Sequence, residues 1–225
     1  MAEEEWRALE EVQALGRAKG VPALLRRLPD LHPVVAWHAV ARTLPELGGE
    51  RAYRALVRLL REHPDPVLRE AAAYAFWQFR DDRAYPWLLA ALRDPAEDPR
   101  VRGQVAETLG YTTRDARTRR YKEAARVLVD ALSDGSPSVR FWAAFALGSM
   151  RARAAVPALR HLATTDEAVC PGWWRVADEA ADALVRIAGG TPPDRHPTTA
   201  ASQASSAPGE LVGAHSGRRV LRETR

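Results

Sequence analysis

The residues that could hold a metal ion or act as a nucleophile are few and widely spaced. No two of the six histidines have the H-x-x-x-H or H-E-x-x-H spacing of a zinc-binding helix. Cys170 is the only cysteine, and no thiolate-stabilising motif surrounds it in the sequence. A glycine-rich phosphate loop and a G-x-S-x-G nucleophile motif are both missing. The sequence therefore predicts no catalytic residue, no metal ligand and no cofactor.

The charge of the chain does not predict nucleic-acid binding. The 33 basic residues exceed the 29 acidic ones by only +4. Residues 191–225 hold five arginines against three acidic residues, so the other 190 residues carry only +2. One local basic cluster, the Arg114–Arg120 loop, could clamp a phosphate or an acidic loop, but a solvated linker is the favoured interpretation. Nucleic acid is therefore disfavoured as a partner.

A repeated apolar pattern organises the chain. Five similar segments each contain a turn proline, an apolar residue and then small residues ending in Leu or Phe. They are His32–Leu44, Pro64–Phe79, Asp98–Thr112, Ser136–Met150 and Pro171–Ile187. One position of the pattern is always alanine, at Ala41, Ala73, Ala106, Ala144 and Ala181, with intervals of 32, 33, 38 and 37 residues. Repeats of this period indicate a stack of similar units, and the alanine would let neighbouring helices approach closely.

Each unit is predicted to be a helical hairpin. In the fourth segment Val139, Ala143, Ala146 and Met150 fall on one helical stripe, and no part of the chain alternates long enough to form a strand. Another apolar helix precedes each segment, and we call the first helix of a unit A and the second B. The predicted A helices are Val21–Leu28, Ala52–Leu60, Ala84–Leu92, Glu123–Leu132 and Ala155–Leu162. The fold class is therefore all-α, and residues 3–17 are predicted to form a capping helix.

The periodic pattern stops after Gly190. Residues 191–225 are rich in Pro, Ser, Thr and Ala, which predicts a disordered tail after a solenoid domain of residues 1–190. No apolar run approaches the ~20 residues of a membrane span. The acidic N-terminus does not resemble a signal peptide, so we expect a cytoplasmic protein. A role for the tail is left open.

The segment Asp130–Asp166 resembles a HEAT repeat, and the short period is similar to the HEAT-like repeats first described in phycobilisome lyases. The resemblance covers roughly residues 20–189. It implies an α-solenoid of about five hairpins whose B helices line a concave face. It also implies protein binding and scaffolding, the usual work of such repeats.

The helical phase of the B segments predicts which side chains line that face. The first row is His38, Glu70, Gly103, Phe141 and Asp178, and the second is Arg42, Tyr74, Glu107, Phe145 and Asp182. Four acids against one arginine, with three aromatic rings, predict an acidic groove for a protein or peptide partner that carries basic and apolar residues. Trp173 and Trp174 would either extend this surface or cap the end of the solenoid.

We therefore predict a non-enzymatic binding module, and three alternatives remain. One is an enzyme or enzyme subunit like the bilin lyases, and another is an enzyme like the HEAT-like glycosylases of alkylated DNA bases, which present tryptophans and a carboxylate on a basic concave face. The third is direct nucleic-acid binding.

Deoxyhypusine hydroxylase, a HEAT-fold enzyme, holds iron with His-Glu pairs. This sequence has no His-Glu dipeptide and has Arg69-Glu70 where the second copy could offer one, so the sequence predicts that it is not an iron enzyme of this kind.

A row of arginines also has two interpretations. Arg69, Arg102 and Arg140 occupy one position, just after the apolar residue that opens each B segment. They could form a phosphate ladder. The favoured interpretation is that each pairs with an acid of a neighbouring turn, such as Asp65, Asp98 or Asp134.

Overall fold

The computed structural model describes residues 1–79, 81–113 and 115–195. Within these ranges the chain contains helices and turns but no strand, apart from one isolated bridge between Val169 and Arg175. The α-helices are α1 (Glu3–Lys19), α2 (Val21–Arg27), α3 (Pro33–His38), α4 (Leu44–Leu47), α5 (Gly49–Glu62), α6 (Pro66–Phe79), α7 (Tyr85–Arg93), α8 (Pro99–Thr112), α9 (Arg119–Ala131), α10 (Pro137–Ser149), α11 (Val156–Thr165) and α12 (Val176–Ile187). The all-α prediction is confirmed.

The B helices form one continuous layer. Helix α3 packs on α6, α6 on α8, α8 on α10, and α10 on α12. The A helices α5, α7 and α9 contact one another on the other side, and each also packs against the B helix that follows it. Because every unit buries its apolar face against its neighbours, the hairpins form a solenoid. Helix α1 covers the first unit, as predicted, and buries Leu9 and Val12 there.

The alanine position lies where the B helices meet. Ala41, Ala73, Ala106 and Ala144 have no exposed surface. Ala181 is partly exposed, and it lies in α12, which ends the described stack. Close approach is also visible at two glycines, where an added Cβ would lie 2.7 Å from the Cα of Ala146 for Gly110 and 2.8 Å from that of Ala183 for Gly148. Small residues therefore determine the spacing of the stack.

The first B helix is interrupted. Between α3 and α4 the chain forms a π-helical segment, Ala39–Thr43. Pro45 has no N–H to donate to the carbonyl of Ala41, and its ring would clash with that carbonyl in a regular α-helix. The amide Nε2 of Gln78 donates to the Ala41 oxygen instead, at 3.4 Å. The wider π-helical turn therefore follows from one proline.

The arginine row forms ion pairs between successive turns. Arg69 pairs with Glu97 at 2.7 Å and Arg140 with Asp166 at 2.6 Å, and Arg102 pairs with Asp134. The structural interpretation is confirmed, with acids of the following turn as partners of all three arginines. In the Arg114–Arg120 loop, Arg114 lies outside the described residues, and Arg120 is paired with Asp82 of the preceding unit.

The residues after α12 include a contact with the solenoid. Arg195 Nε donates to the Asp182 carboxylate at 2.8 Å, so the described part of the predicted tail is not separate from the domain. Residues 196–225 lie outside the described residues. In the part of the chain that the structure describes, no helix has the length and apolarity needed to cross a lipid bilayer.

Candidate functional site

A cleft opens on the B-helix layer where α3, α6, α8 and α10 meet the loop that follows α11. Its cavity volume is about 60 Å³, and the empty space including the open solvent at its mouth is about 570 Å³. The side chains that determine its character are four aromatic residues and two acids. They are Trp37, Tyr74, Trp142, Trp173, Glu70 and Glu107. The cleft therefore places aromatic rings and carboxyl groups side by side.

The aromatic wall consists of two pairs of rings. The rings of Trp37 and Tyr74 have centroids 5.2 Å apart, and those of Trp142 and Trp173 are 5.1 Å apart and nearly perpendicular. Gly103 makes room for the second pair, since a Cβ at this position would lie 2.9 Å from Cδ1 of Trp142. The other units have a side chain at this row position, so the cleft depends on the glycine.

Glu107 is the most perturbed acid of the cleft. Its side chain is buried, and Gln104 Nε2 donates to Oε2 at 2.8 Å. Burial raises the pKa of Glu107 to about 7, although the hydrogen bond from Gln104 acts in the opposite direction. Near neutral pH this carboxyl group therefore exists in both protonation states, as a general acid or base requires.

The cleft is also lined by other polar groups. Glu70 from α6 is buried. Arg100 from α8 is half-buried, and its Nε lies 3.6 Å from Asp98 Oδ1. Cys170 is buried with its Sγ 3.8 Å from Ser138 Oγ. The indole N–H of Trp37 is buried and has no acceptor among the described residues.

The structure brings together four of the nine acidic and aromatic residues that the sequence predicted for a binding surface. Glu70, Tyr74, Glu107 and Trp173 all line the cleft. Their predicted role in binding a protein partner is not tested by this placement. What the structure shows is that two of the four acidic positions and two of the five aromatic positions share one site.

The predicted exposure of Phe141 is wrong. Only 1% of the residue is accessible, because the loop after α11 folds back over it. The rings of Trp173 and Trp174 lie 5.9 and 5.6 Å from the Phe141 ring, between centroids. Trp174 also donates its indole N–H to Glu179 at 3.1 Å, so this tryptophan closes the end of the described stack.

The last unit does not contribute the predicted acidic groove. Asp182 is buried and bound by Arg195, and Asp178 accepts a hydrogen bond from Arg175 Nε at 2.9 Å. Both acids are therefore neutralised by arginine. Phe145 is partly exposed, and the guanidinium of Arg186 lies 5.1 Å from the centre of its ring.

Three residues of the cleft were not predicted from the sequence, and they are Trp37, Trp142 and Gln104. Trp37 precedes His38 and Trp142 follows Phe141, each one residue away from a predicted row. Their large indole rings reach the cleft from positions that the helical phase assigns to its edge. The signal was Gly103, because an empty row position leaves space that a neighbouring side chain must fill.

Comparison with known proteins identifies the repeats. The family model for HEAT repeats matches residues 3–77, 54–120, 96–170 and 125–201, which together cover most of the chain. Three curated relatives are deoxyhypusine hydroxylases. The enzyme of Gallus gallus is 34% identical over 101 residues, that of Rattus norvegicus 32% over 101, and that of Bos taurus 34% over 89.

These similarities are partial. The matched segments are 45%, 45% and 40% of this chain but only 31%, 30% and 29% of the relatives, so the chain spans about a third of their length. The solved structure of human deoxyhypusine hydroxylase in complex with glycerol is 21% identical to this chain. Its match covers 82% of this chain and 88% of the human one, with a TM-score of 0.37.

The curated relatives contradict the prediction of a non-enzymatic binding module. All three are enzymes, and their similarity extends over nearly half of this chain. The interpretation rested on the lack of His-Glu pairs and of known catalytic motifs. The lack of one motif excludes only the reaction that needs this motif, and other enzymatic reactions remain possible. The predictions of a scaffold function and of no enzymatic activity are therefore wrong.

Proposed function

The chain belongs to the HEAT-repeat family, and from that premise we propose that it is a HEAT-repeat enzyme, or one subunit of such an enzyme, with its active site in the cleft around Glu107. The observation that carries the proposal is a buried carboxyl group beside tryptophan and tyrosine rings in an open cleft. The enzymatic relatives support the class of function.

Glu107 is assigned the proton-transfer step. Its pKa of about 7 lets it give or take a proton near neutral pH at little cost in free energy. The amide of Gln104 holds one carboxyl oxygen at 2.8 Å, which leaves the other oxygen to face a substrate. The partly exposed rings of Trp142 and Trp173 line the same cleft and offer a surface for the substrate.

The described residues do not fit the iron of deoxyhypusine hydroxylase. No three His, Cys, Asp or Glu side chains of the described ranges come together as a metal site, and the sequence has no His-Glu pair. The cleft offers the carboxyl groups of Glu70 and Glu107, and its tryptophans are not metal ligands. The proposed mechanism therefore contains no step through iron.

Two features of the chain resemble two different groups of HEAT-repeat enzymes. The short period of 32 to 38 residues is the basis for a phycobilisome-lyase type of repeat. The carboxyl group beside tryptophans is instead the combination that the HEAT-like glycosylases of alkylated bases present. The cleft differs from theirs in charge, because its two acids face one arginine. We therefore propose a small-molecule substrate rather than DNA.

The test compares turnover by two glutamate variants. Purified full chain is incubated with a bacterial metabolite extract, and separately with a deoxyhypusine peptide with and without Fe(II), and products are followed by mass spectrometry. A species consumed by the wild type should be consumed at least about 100-fold more slowly by Glu107→Gln. The control, Glu46→Gln, changes an exposed carboxyl group outside the cleft and should match the wild type.

Two results would overturn the proposal. One is that no species in any arm is consumed faster than in a protein-free sample. The other is that Glu107→Gln consumes the substrate as fast as the wild type does. Conversion of the deoxyhypusine peptide only with added Fe(II) would show an iron enzyme. It would contradict the argument that the described residues cannot hold iron.

A further inference from the structure

Four aromatic residues line the cleft, of which Trp37 and Tyr74 are only 2% and 5% exposed while Trp142 and Trp173 are partly exposed. Trp37 and Tyr74 come from α3 and α6, and Trp142 and Trp173 come from α10 and the loop after α11. The faces of such rings carry partial negative charge and attract cations within about 6 Å of the ring centre. Several rings around one space are the usual means by which proteins recognise a methylated ammonium group.

The charged groups of the cleft favour the same kind of ligand. The titratable side chains that line it are Glu70 and Tyr74 from α6, Arg100 and Glu107 from α8, and Cys170 from the loop. Two acids thus face one arginine, which is half-buried. A phosphate would meet these two acids, whereas a cation would gain from both of them.

One donor of the wall lacks an acceptor. The indole N–H of Trp37 is buried, although the side chain lines the cleft, and no acceptor for it exists among the described residues. A buried N–H without a partner costs about 1–3 kcal/mol. This N–H has almost no accessible surface, so a ligand in the cleft reaches it only if a neighbouring group moves.

We propose that the cleft binds an N-alkylated ammonium group, held by the partly exposed rings of Trp142 and Trp173 and by the carboxyl group of Glu107. The inference deepens the proposed function, because it names the substrate class of the same cleft. It also predicts coupling to proton release. A cation beside Glu107 favours its ionised form, so binding near neutral pH displaces the proton of this carboxyl group.

The test uses choline as the probe and 3,3-dimethyl-1-butanol as its uncharged analogue of the same shape. Isothermal titration of the full chain near neutral pH, in two buffers of different ionisation enthalpy, reports both affinity and proton release. Choline should bind at least about tenfold more tightly than the alcohol. Only the binding of choline should release a fraction of a proton from the protein.

Variants link the binding to the cleft. Trp142→Leu and Glu107→Gln should weaken choline binding, and Glu107→Gln should also abolish proton release. The controls are Trp6→Leu, at a tryptophan that is 55% exposed, and Glu46→Gln, and both should bind as the wild type does. Thermal melts of each variant check folding, and the comparison of the two probes on the wild type needs no variant.

The inference is wrong if choline and the alcohol bind equally, or if neither binds at millimolar concentration. It is also wrong if the two cleft variants fold and bind choline as tightly as the controls. Failure here and failure of the proposed enzyme are distinguishable. Cation-selective binding without any Glu107-dependent turnover would reject the enzyme and keep the site, and turnover without cation preference would do the reverse.

Discussion

Gly103 of α8 lies against the indole ring of Trp142 on α10, and a Cβ added to the glycine would stand 2.9 Å from Cδ1 of the ring. Neighbouring heavy atoms essentially never come so close to a Cβ, so one of the two residues would have to move. Trp142 in turn contacts the ring of Trp173 at 5.1 Å between centroids. One missing side chain therefore sets the position of a whole wall of the cleft.

Gly103→Ala should displace Trp142 and reduce the size of the cleft. We expect a shift in tryptophan fluorescence, weaker choline binding and a loss of about 1–3 kcal/mol in the free energy of unfolding. Gly135→Ala is the matched control, because nothing lies within 4 Å of its added Cβ. If Gly103→Ala keeps the fluorescence and affinity of the wild type, Trp142 does not depend on the glycine.

Gly148→Ala should destabilise the stack of B helices. An added Cβ would lie 2.8 Å from the Cα of Ala183, and backbone cannot move aside as a side chain can. Alanine normally stabilises a helix by about 1 kcal/mol relative to glycine, so a net loss of about 1–3 kcal/mol would identify helix crowding as the cause. Urea unfolding beside Gly135→Ala measures the difference, and a gain in stability would contradict it.

The ion pair between Arg140 and Asp166 should contribute far more than a surface pair does. The two side chains are only 16% and 10% exposed, so Arg140→Ala leaves a buried carboxylate without its partner. We expect a loss of about 3 kcal/mol in unfolding free energy. Arg58→Ala, at an arginine that is 79% exposed and 3.6 Å from Glu62, should cost less than about 1 kcal/mol. Equal losses in urea titrations would refute the distinction.

Two buried acids should make the protein less stable as the pH rises. Burial raises the pKa of Glu107 and of Glu179 to about 7 from a reference value of 4.5. Between these values the folded state holds protons that the unfolded state has released, so the free energy of unfolding falls with rising pH and levels off above about 7. His38 acts in the opposite direction, because burial lowers its pKa from 6.5 to about 4.

Glu107→Gln isolates the share of one acid. Glutamine stays neutral, so the variant should lose less stability than the wild type between about pH 5 and about pH 8, by up to about 3 kcal/mol. Urea unfolding at both pH values measures this double difference. Identical pH dependence in the two proteins would show that Glu107 has an ordinary pKa.

The repeated features were predictable because they are local. A helix advances by a constant angle per residue, so the phase of each B segment assigns Glu70, Tyr74 and Glu107 to one face without any knowledge of the neighbours. The period also placed alanine at the helix contacts and arginine beside the acids of the turns, and the structure shows both.

The segments without a repeat were not predictable in this way. The loop that contains Trp173 and Trp174 covers Phe141, and Arg195 reaches back to Asp182, although neither contact follows a period. The predicted acidic groove failed at the last unit for this reason. The prediction of a non-enzymatic module was contradicted by the curated relatives, and the cleft itself, assembled from residues of four helices and a loop, leaves no linear motif.

The sequence by itself therefore determined the helices, their order and the face on which each side chain lies, because these depend on spacing along one chain. Only the tertiary structure decided which of those faces stay open and what pKa Glu107 has. Exposure and desolvation depend on every group packed around a residue, and those groups come from distant parts of the chain. The same carboxyl group would be an ordinary surface acid in an isolated helix, and in this fold burial raises its pKa to about 7.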